Sequence, residues 1–372
     1  MRATVAASLA IGLAATGAHA APHQQVTLYD SFNGLRPEIY DDSLAAKVSH
    51  GVWGAVSGLL GMNQAEPKLD LLPGTRMLEG GFPTADIDSV SAPRFVVYGD
   101  SDVPSQTYGA PPYYQIDNFD VYNFAFWTVK FGVADNAAKF AAKSAADRKW
   151  FKSRYAGAGK KLMVSLFGAT DKPQSMGRNP TQLGKEIADW VKKMGLDGVD
   201  VDYEEEDLFD QGKSVQWLID LTKSLRANLP SPTYLITHAP LAPWFNTDIY
   251  KDGGYTRIHQ EVGNLIDWYG VQFYNQGTFE TCESLLWDSG DYYPKTSLFE
   301  IAKYSKVPLD KLVVGKPATA QDAGNGFMKP SVLGQCLKTA VQNGWKGGAM
   351  FWEYPHMTAS RLKVITDASG LK

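Results

Sequence analysis

The sequence has 372 residues, 44% of them hydrophobic, with 36 Lys and Arg against 40 Asp and Glu and a formal net charge of −4. A chain of this length and composition buries a large core as one domain or two, and its mildly acidic balance argues against nucleic acid or any other polyanion as a partner. Only two cysteines occur, Cys282 and Cys336, which excludes small cysteine-rich modules and leaves room for one disulfide in an oxidising compartment.

Met1-Arg2, the apolar run from Ala3 to Gly17 and the A-x-A pattern Ala18-His19-Ala20 predict a secretory signal peptide over residues 1–20. No later stretch supplies the roughly 20 apolar residues of a membrane span, so the mature protein is expected to be secreted, soluble and without a membrane span. Residues 21–91 read as an N-terminal extension or pro-segment. Within it, Asp41-Asp42-Ser43 are placed to cap a helix running to about Leu60, with Leu44, Val48, Val52, Trp53, Val56, Leu59 and Leu60 as its apolar face. Lys47 and His50 are too little basic charge for a membrane surface, which favours packing against the main domain.

From Pro93 onward apolar runs of strand length alternate with helical patterns, the signature of repeated βα units. The predicted strands are Phe95–Tyr98, Val121–Phe126, Leu162–Phe167, Gly198–Tyr203, Tyr234–Ala239, Trp268–Tyr274, Leu312–Gly315 and Ala349–Trp352. Helices are predicted over Ala134–Arg154, Gln182–Lys193, Ser214–Asn228 and Val332–Asn343, with weaker ones near Leu298–Tyr304 and Ala359–Ile365. Eight parallel strands in a segment of this size fit a TIM (β/α)8 barrel of class α/β, preceded by the N-terminal extension.

A barrel places its chemistry at the C-terminal ends of its strands. Residues suited to a sugar site stand there: Tyr98, Phe126-Trp127, His238, Gln272 with Tyr274-Asn275, and Trp352. Rings of this kind stack on sugars, and hydroxyl and amide groups hydrogen-bond them; a histidine in such a place is more often a satisfied structural residue than a catalyst.

The fourth strand carries Leu196 to Glu206, reading L-D-G-V-D-V-D-Y-E-E-E. Side chains alternate along a strand, so Asp200, Asp202 and Glu204 share one face and Val199, Val201 and Tyr203 the other. Carboxylates about 6.5 to 7 Å apart repel, which raises the pKa of at least one and leaves it protonated near neutral pH. That is the equipment of general acid catalysis. Asp197 has the opposite parity and reads as structural, at the strand entrance beside Gly198. Glu205, Glu206 and Asp207 read as a solvated acidic face. A calcium loop would want its glycine after the third acidic position, whereas Gly198 precedes the ladder, so no metal site is expected.

The spacing Asp197, Asp200, Asp202, Glu204 resembles the D-x-x-D-x-D-x-E signature of glycoside hydrolase family 18, with Tyr203 as the aromatic before the Glu. Val271-Gln272-Phe273-Tyr274-Asn275 resembles the sixth-strand motif of class III-type plant and fungal chitinases, and Gly348-Ala349-Met350-Phe351-Trp352 the eighth-strand segment whose Trp floors the sugar site. Ser165-Leu166-Phe167-Gly168-Ala169 matches the third-strand S-x-G-G motif only in part. The resemblance covers residues 92–370 as a catalytic domain. It implies that the substrate's acetamido oxygen attacks its own anomeric carbon while Glu204 protonates the leaving oxygen. Asp202 would accept the acetamido N–H, Tyr274 would hold the acetamido oxygen, Asp200 would share a proton with Asp202, and Tyr98, Gln272, Asn275 and Trp352 would bind sugar.

The scheme requires no cofactor. The reading is a secreted, monomeric endo-acting chitinase; the alternatives are an endo-β-N-acetylglucosaminidase acting on the chitobiose core of N-glycans and, less favoured because Glu204 is intact, a non-catalytic chitin-binding lectin. The short segment Lys316 to Ser331 leaves no room for an α+β insertion, so an open cleft is expected. Cys282 and Cys336 are expected to pair.

Overall fold

The structure, a computed structural model, describes residues 90–371 and, before them, the backbone of two paired segments, Arg76–Met77 and Pro83–Thr84. The signal segment and the helix expected from Asp41 to Leu60 lie outside the described residues. The chain divides into units Met1–Leu71 and Leu72–Lys372, and every described residue belongs to the second.

Eight strands close into a parallel barrel: β1 Arg94–Gly99, β2 Val121–Thr128, β3 Lys161–Gly168, β4 Gly198–Tyr203, β5 Leu235–His238, β6 Trp268–Gln272, β7 Leu312–Pro317 and β8 Gly348–Tyr354. Each pairs with its sequence neighbour, and β8 pairs with β1 to close the ring. It is a TIM barrel. Every residue of β2, β4, β5, β6 and β7 is buried, because one face of each strand packs on helices and the other on the lumen. That is why the strands read as near-continuous apolar runs. The lumen is filled by Val96, Tyr98, Val121, Met163, Leu235, Trp268, Tyr274, Val313 and Met350; the larger core lies between strands and helices.

The strand entrances share one device. Asp120, just before β2, accepts from Phe95 N in β1 at 2.7 Å; Asp197, before β4, accepts from Leu162 N in β3 at 2.8 Å; Asp267, before β6, accepts from Ile236 N in β5 at 2.7 Å. Each carboxylate takes up an N–H at the open edge of the barrel floor, where a buried orphan donor costs about 1 to 3 kcal/mol. Asp197, also paired with Lys152 at 3.0 Å, is thus the strand-entrance residue that its parity implied.

The outer helices are α1 Asp135–Ala141, α2 Ala145–Gly157, α3 Pro180–Met194, α4 Ser214–Asn228, α5 Gly254–Val262, α6 Leu298–Ser305, α7 Pro330–Gln342 and α8 Ala359–Ser369. The single helix expected over Ala134–Arg154 is two. Ser144 adopts an extended backbone and accepts from Asp147 N, starting a new helix, while the Arg148 guanidinium donates to the Ala141 and Lys143 carbonyls that the break leaves open. α5 was not expected. Its sequence opens on Gly253-Gly254, a poor helix signal, yet Gly254 is needed because a Cβ there would lie 2.3 Å from the Trp244 carbonyl oxygen.

Cys282, opening the short helix Cys282–Leu286, is bonded to Cys336 of α7, with 5.2 Å between Cα atoms. The bond closes a loop of 54 residue steps, worth about 4 kcal/mol by chain entropy. Alkylation without reductant, followed by mass spectrometry, is expected to find neither thiol modified. Among the described residues no helix is long and apolar enough to cross a membrane.

Candidate active site

The register of β3, β4 and β5 builds the centre. Ser165 of β3 and Thr237 of β5 both stand level with Asp200 of β4, and all three face the lumen. Thr237 Oγ1 donates to Asp200 Oδ1 at 2.6 Å, Ser165 Oγ to Oδ2 at 3.0 Å, and Tyr98 Oη reaches across from β1 to Oδ2 at 2.6 Å. Burial raises the Asp200 pKa and the three hydroxyls oppose that rise. Gly198 permits the β4–β5 contact, since a Cβ there would sit 2.1 Å from the Leu235 carbonyl oxygen.

Tyr98 was expected to touch sugar. Instead its ring is buried and its hydroxyl is committed to Asp200. Ser165, whose role the imperfect third-strand motif left open, is a second of the three Asp200 donors. In that motif Phe167 stands where the family has a glycine, and it keeps the left-handed backbone at φ 76°. Gly168 next to it is also left-handed, at φ 69°, and a Cβ there would press to 2.9 Å from the Phe126 ring.

One residue pair up the strand, Asp202 is buried beneath Glu204, which is partly exposed at the mouth. Burial and the neighbouring charges of Glu204 and Asp200 push the Asp202 pKa well up, and its hydrogen bond to Glu204 raises it further while lowering that of Glu204. The two carboxyls titrate as a unit, so a proton held by the pair belongs to both. The sequence reading had Asp200 sharing that proton. In the structure three hydroxyls donate to Asp200, while Asp202 Oδ1 accepts from Gln272.

Gln272 of β6 braces the pair. Its Nε2 donates to Asp202 Oδ1 and to the Ala239 carbonyl, both at 2.9 Å, and lies 3.5 Å from Glu204 Oε1. An amide has two hydrogens, so the Glu204 contact is the weakest. Expected as a sugar contact, Gln272 orients carboxylates.

Tyr274, following β6, faces the same space, and the negative field of Asp202, Glu204 and Asp200 adds to burial in pushing its pKa well above the phenol range. It is thus a neutral hydroxyl donor. Its backbone rests on Gly326, where a Cβ would fall 2.5 Å from Tyr274 Cα. Asn275, also expected at the sugar, adopts φ 67°; its Oδ1 accepts from Gly324 N at 2.8 Å and its N–H donates to the Asn325 carbonyl at 3.3 Å. It staples the loop after β6 to the loop after β7. The Trp352 ring lies 5.8 Å from both Phe126 and Tyr98, nearly parallel to the first, and forms an aromatic floor beside the carboxylates. Trp127 points to the outer core.

His238 ends β5 but faces outward and is fully buried. Thr222 Oγ1 donates to the Leu218 carbonyl at 2.6 Å and so accepts from His238 Nε2–H at 3.1 Å, which leaves Nδ1 to accept from Tyr255 Oη at 3.1 Å. Burial pulls its pKa down to about 3. It is a satisfied core histidine. Because the unfolded chain binds this proton below a pH of about 6.5, stability is expected to fall by up to about 1.4 kcal/mol per pH unit from there toward 3. The His238 ring proton shifts in NMR should stay constant between pH 7 and 4.5; titration in that range would contradict this environment.

Glu205 departs most from expectation. It was read with Glu206 and Asp207 as solvated; the latter two are exposed, but Glu205 is buried and its carboxylate accepts bonds from Gln174 and Ser175. The mouth carries no inserted domain, since residues 318–329 alone join β7 to α7. A cavity of about 660 Å3 opens at the other end of the barrel beside Pro93, Phe95 and Asp120 and contains none of Asp200, Asp202 and Glu204. Among the described residues no cluster of His, Cys, Asp and Glu is arranged to hold a metal ion.

No protein-family profile matches the chain. A crystal structure of a GH18 chitinase from Pseudoalteromonas aurantia superposes with a TM-score of 0.61 at 28% identity, over 74% of this chain and 99% of that one. The chain is thus similar in fold and in sequence to glycoside hydrolase family 18 chitinases. A fungal endo-β-N-acetylglucosaminidase of the same family shares the fold, with a TM-score of 0.54 at 23% identity over 74% and 97% of the two chains. Among curated proteins, Endochitinase 3 of Metarhizium robertsii is 27% identical over 209 residues, 52% of this chain. The chain spans 60% of that relative's length. The residues whose spacing resembles the family's signature, Asp197, Asp200, Asp202 and Glu204, lie along β4 and just before and after it.

Proposed function

We propose that this protein is an endo-acting family 18 chitinase that hydrolyses β-1,4 linkages between N-acetylglucosamine units with retention of configuration. The observation that carries the reading is the buried Asp202 and the partly exposed Glu204 at the barrel mouth, both reached by Gln272 Nε2, with Tyr274 and Trp352 near them. Family 18 is among the known exceptions to the two-carboxylate rule for retaining enzymes. An acetamido N–H arriving at Asp202 takes the place of Glu204 as its partner, and the shared proton passes to Glu204. Glu204 then protonates the leaving oxygen while the acetamido oxygen attacks the anomeric carbon. Asp202 balances the positive charge of the oxazolinium-like ring, and Tyr274 donates to the acetamido oxygen. Water opens the ring, giving its proton back to Glu204. The two inversions preserve the β configuration.

Secretion is part of the proposal: it rests on the pattern of residues 1–20 and agrees with the Cys282–Cys336 bond. Residues 21–91 are proposed as an extension preceding the catalytic domain, which we place at 92–370 and read as monomeric. Chitin oligosaccharide and a high-mannose glycoprotein, incubated separately with purified protein, are the discriminating substrates. Shortened chitin oligomers in the mass spectrum are the expected product; a released glycan with the oligomer intact would favour the endo-β-N-acetylglucosaminidase reading, and no product from either would favour a binding protein.

A further inference from the structure

The turn that carries Glu204 is gripped by the loop between β3 and α3, residues 169–179. Three consecutive residues at the end of β4 are each held by it. Tyr203 Oη donates to Gln174 Oε1 at 2.9 Å; the Lys172 ammonium donates to the Glu204 carbonyl oxygen at 2.8 Å; Glu205 accepts from Gln174 N at 2.5 Å, from Ser175 N at 3.0 Å and from Ser175 Oγ. The loop is itself fixed from behind, since buried Asp171 accepts from Val129 N at 2.6 Å and Lys130 N at 2.9 Å. The Glu204 side chain accepts a weak hydrogen bond from Gln272 and has Asp202 as its titrating neighbour. Its height at the mouth is therefore set by its backbone.

We propose that Lys172 and Glu205 are positioning residues for the general acid, tying the Glu204 turn to the loop after β3 so that its carboxyl stands at the height of the leaving oxygen. The inference rests on the proposed role of Glu204. A misplacement of about 1 Å costs on the order of 10²-fold in rate, which a Lys–carbonyl bond and a buried carboxylate at the next residue, both anchored in one loop, are well suited to prevent. Lys172 also acts through charge. Glu204 is faced by Asp202, by Glu206 and by the Tyr274 phenol, and Lys172 is the cation that draws its pKa down.

The test compares Glu205→Gln, Lys172→Met and Lys172→Arg with Glu204→Gln in the full chain, on a chitin hexamer. Glu205→Gln puts an NH2 against two N–H donors, and kcat is expected to fall about tenfold or more with KM within about twofold. Lys172→Met is expected to lower kcat similarly and to move the alkaline limb of kcat/KM to higher pH, because losing the cation lets Glu204 keep its proton longer; Lys172→Arg should restore both. Lys172 is exposed, so its variants should fold even if Glu205→Gln does not. A wild-type kcat in Lys172→Met, or an unmoved alkaline limb, would overturn the inference. If Glu204→Gln is dead while these variants behave as wild type, only the positioning role fails; an active Glu204→Gln removes the proposed function beneath it.

Discussion

Glu204→Gln is expected to fold as the wild type does and to lose about 10²- to 10⁴-fold of its hydrolytic rate, the usual range for general acid catalysis. The amide keeps the shape of the side chain and its contact with Gln272 but has no acidic proton to give. KM should change little, because the acid acts on the leaving oxygen only as the bond breaks. In the wild type the rate should decline as pH rises through the upper step of the Asp202–Glu204 pair, since that step removes the shared proton. Both groups are raised by burial, so this alkaline limb should lie above the pH at which an ordinary surface carboxyl titrates. Substantial activity in a Glu204→Gln preparation free of wild type would take the acid's role away from this residue.

Asp202→Asn is expected to cost about 10²- to 10³-fold, the scale of losing one group that stabilises developing charge. The asparagine oxygen still accepts from Gln272, but its NH2 points where the acetamido N–H must donate, and no negative charge remains for the oxazolinium. The same argument predicts that a chitin oligomer without the acetyl group on the unit at the cleavage point binds yet resists cleavage there. A thiazoline mimic of the cyclised intermediate should inhibit, as intermediate analogues bind more tightly than substrate. A covalent glycosyl adduct on Asp202 from a fluorosugar trap, or rapid cleavage at deacetylated units, would instead make Asp202 the nucleophile.

The barrel and its acids were legible in the sequence because their causes are local. Strands buried on both faces must be apolar throughout, so eight runs such as Val121–Phe126 and Leu312–Gly315 stood out, and alternation along Gly198–Tyr203 placed Asp200, Asp202 and Glu204 on one side without any knowledge of neighbours. Asp197 was assigned to the strand entrance by parity alone. Helix α5 and the break at Ser144 were missed because short helices are decided by caps and close approaches, such as Gly254 against the Trp244 carbonyl, more than by periodicity.

What each polar side chain does was decided by tertiary structure. Tyr98 and Gln272 look like sugar contacts in the sequence, and become supports for Asp200 and Asp202 only because ring closure turns β1 and β6, three and two strands away from β4, toward the same lumen. Ser165 and Thr237 meet at Asp200 through the register of three strands, which no single stretch encodes. Glu205 sits among acids and reads as solvated until the loop after β3 folds over it with Gln174 and Ser175. Hydrophobic periodicity reports which way a residue faces; which donor stands opposite a carboxylate depends on chain brought from 30 to 102 residues away, as the separations of Ser175 from Glu205 and of Tyr98 from Asp200 show. The sequence by itself determined that acids line the barrel mouth; the closed ring decided which of them share a proton and which are held in place by hydroxyls, amides and a lysine.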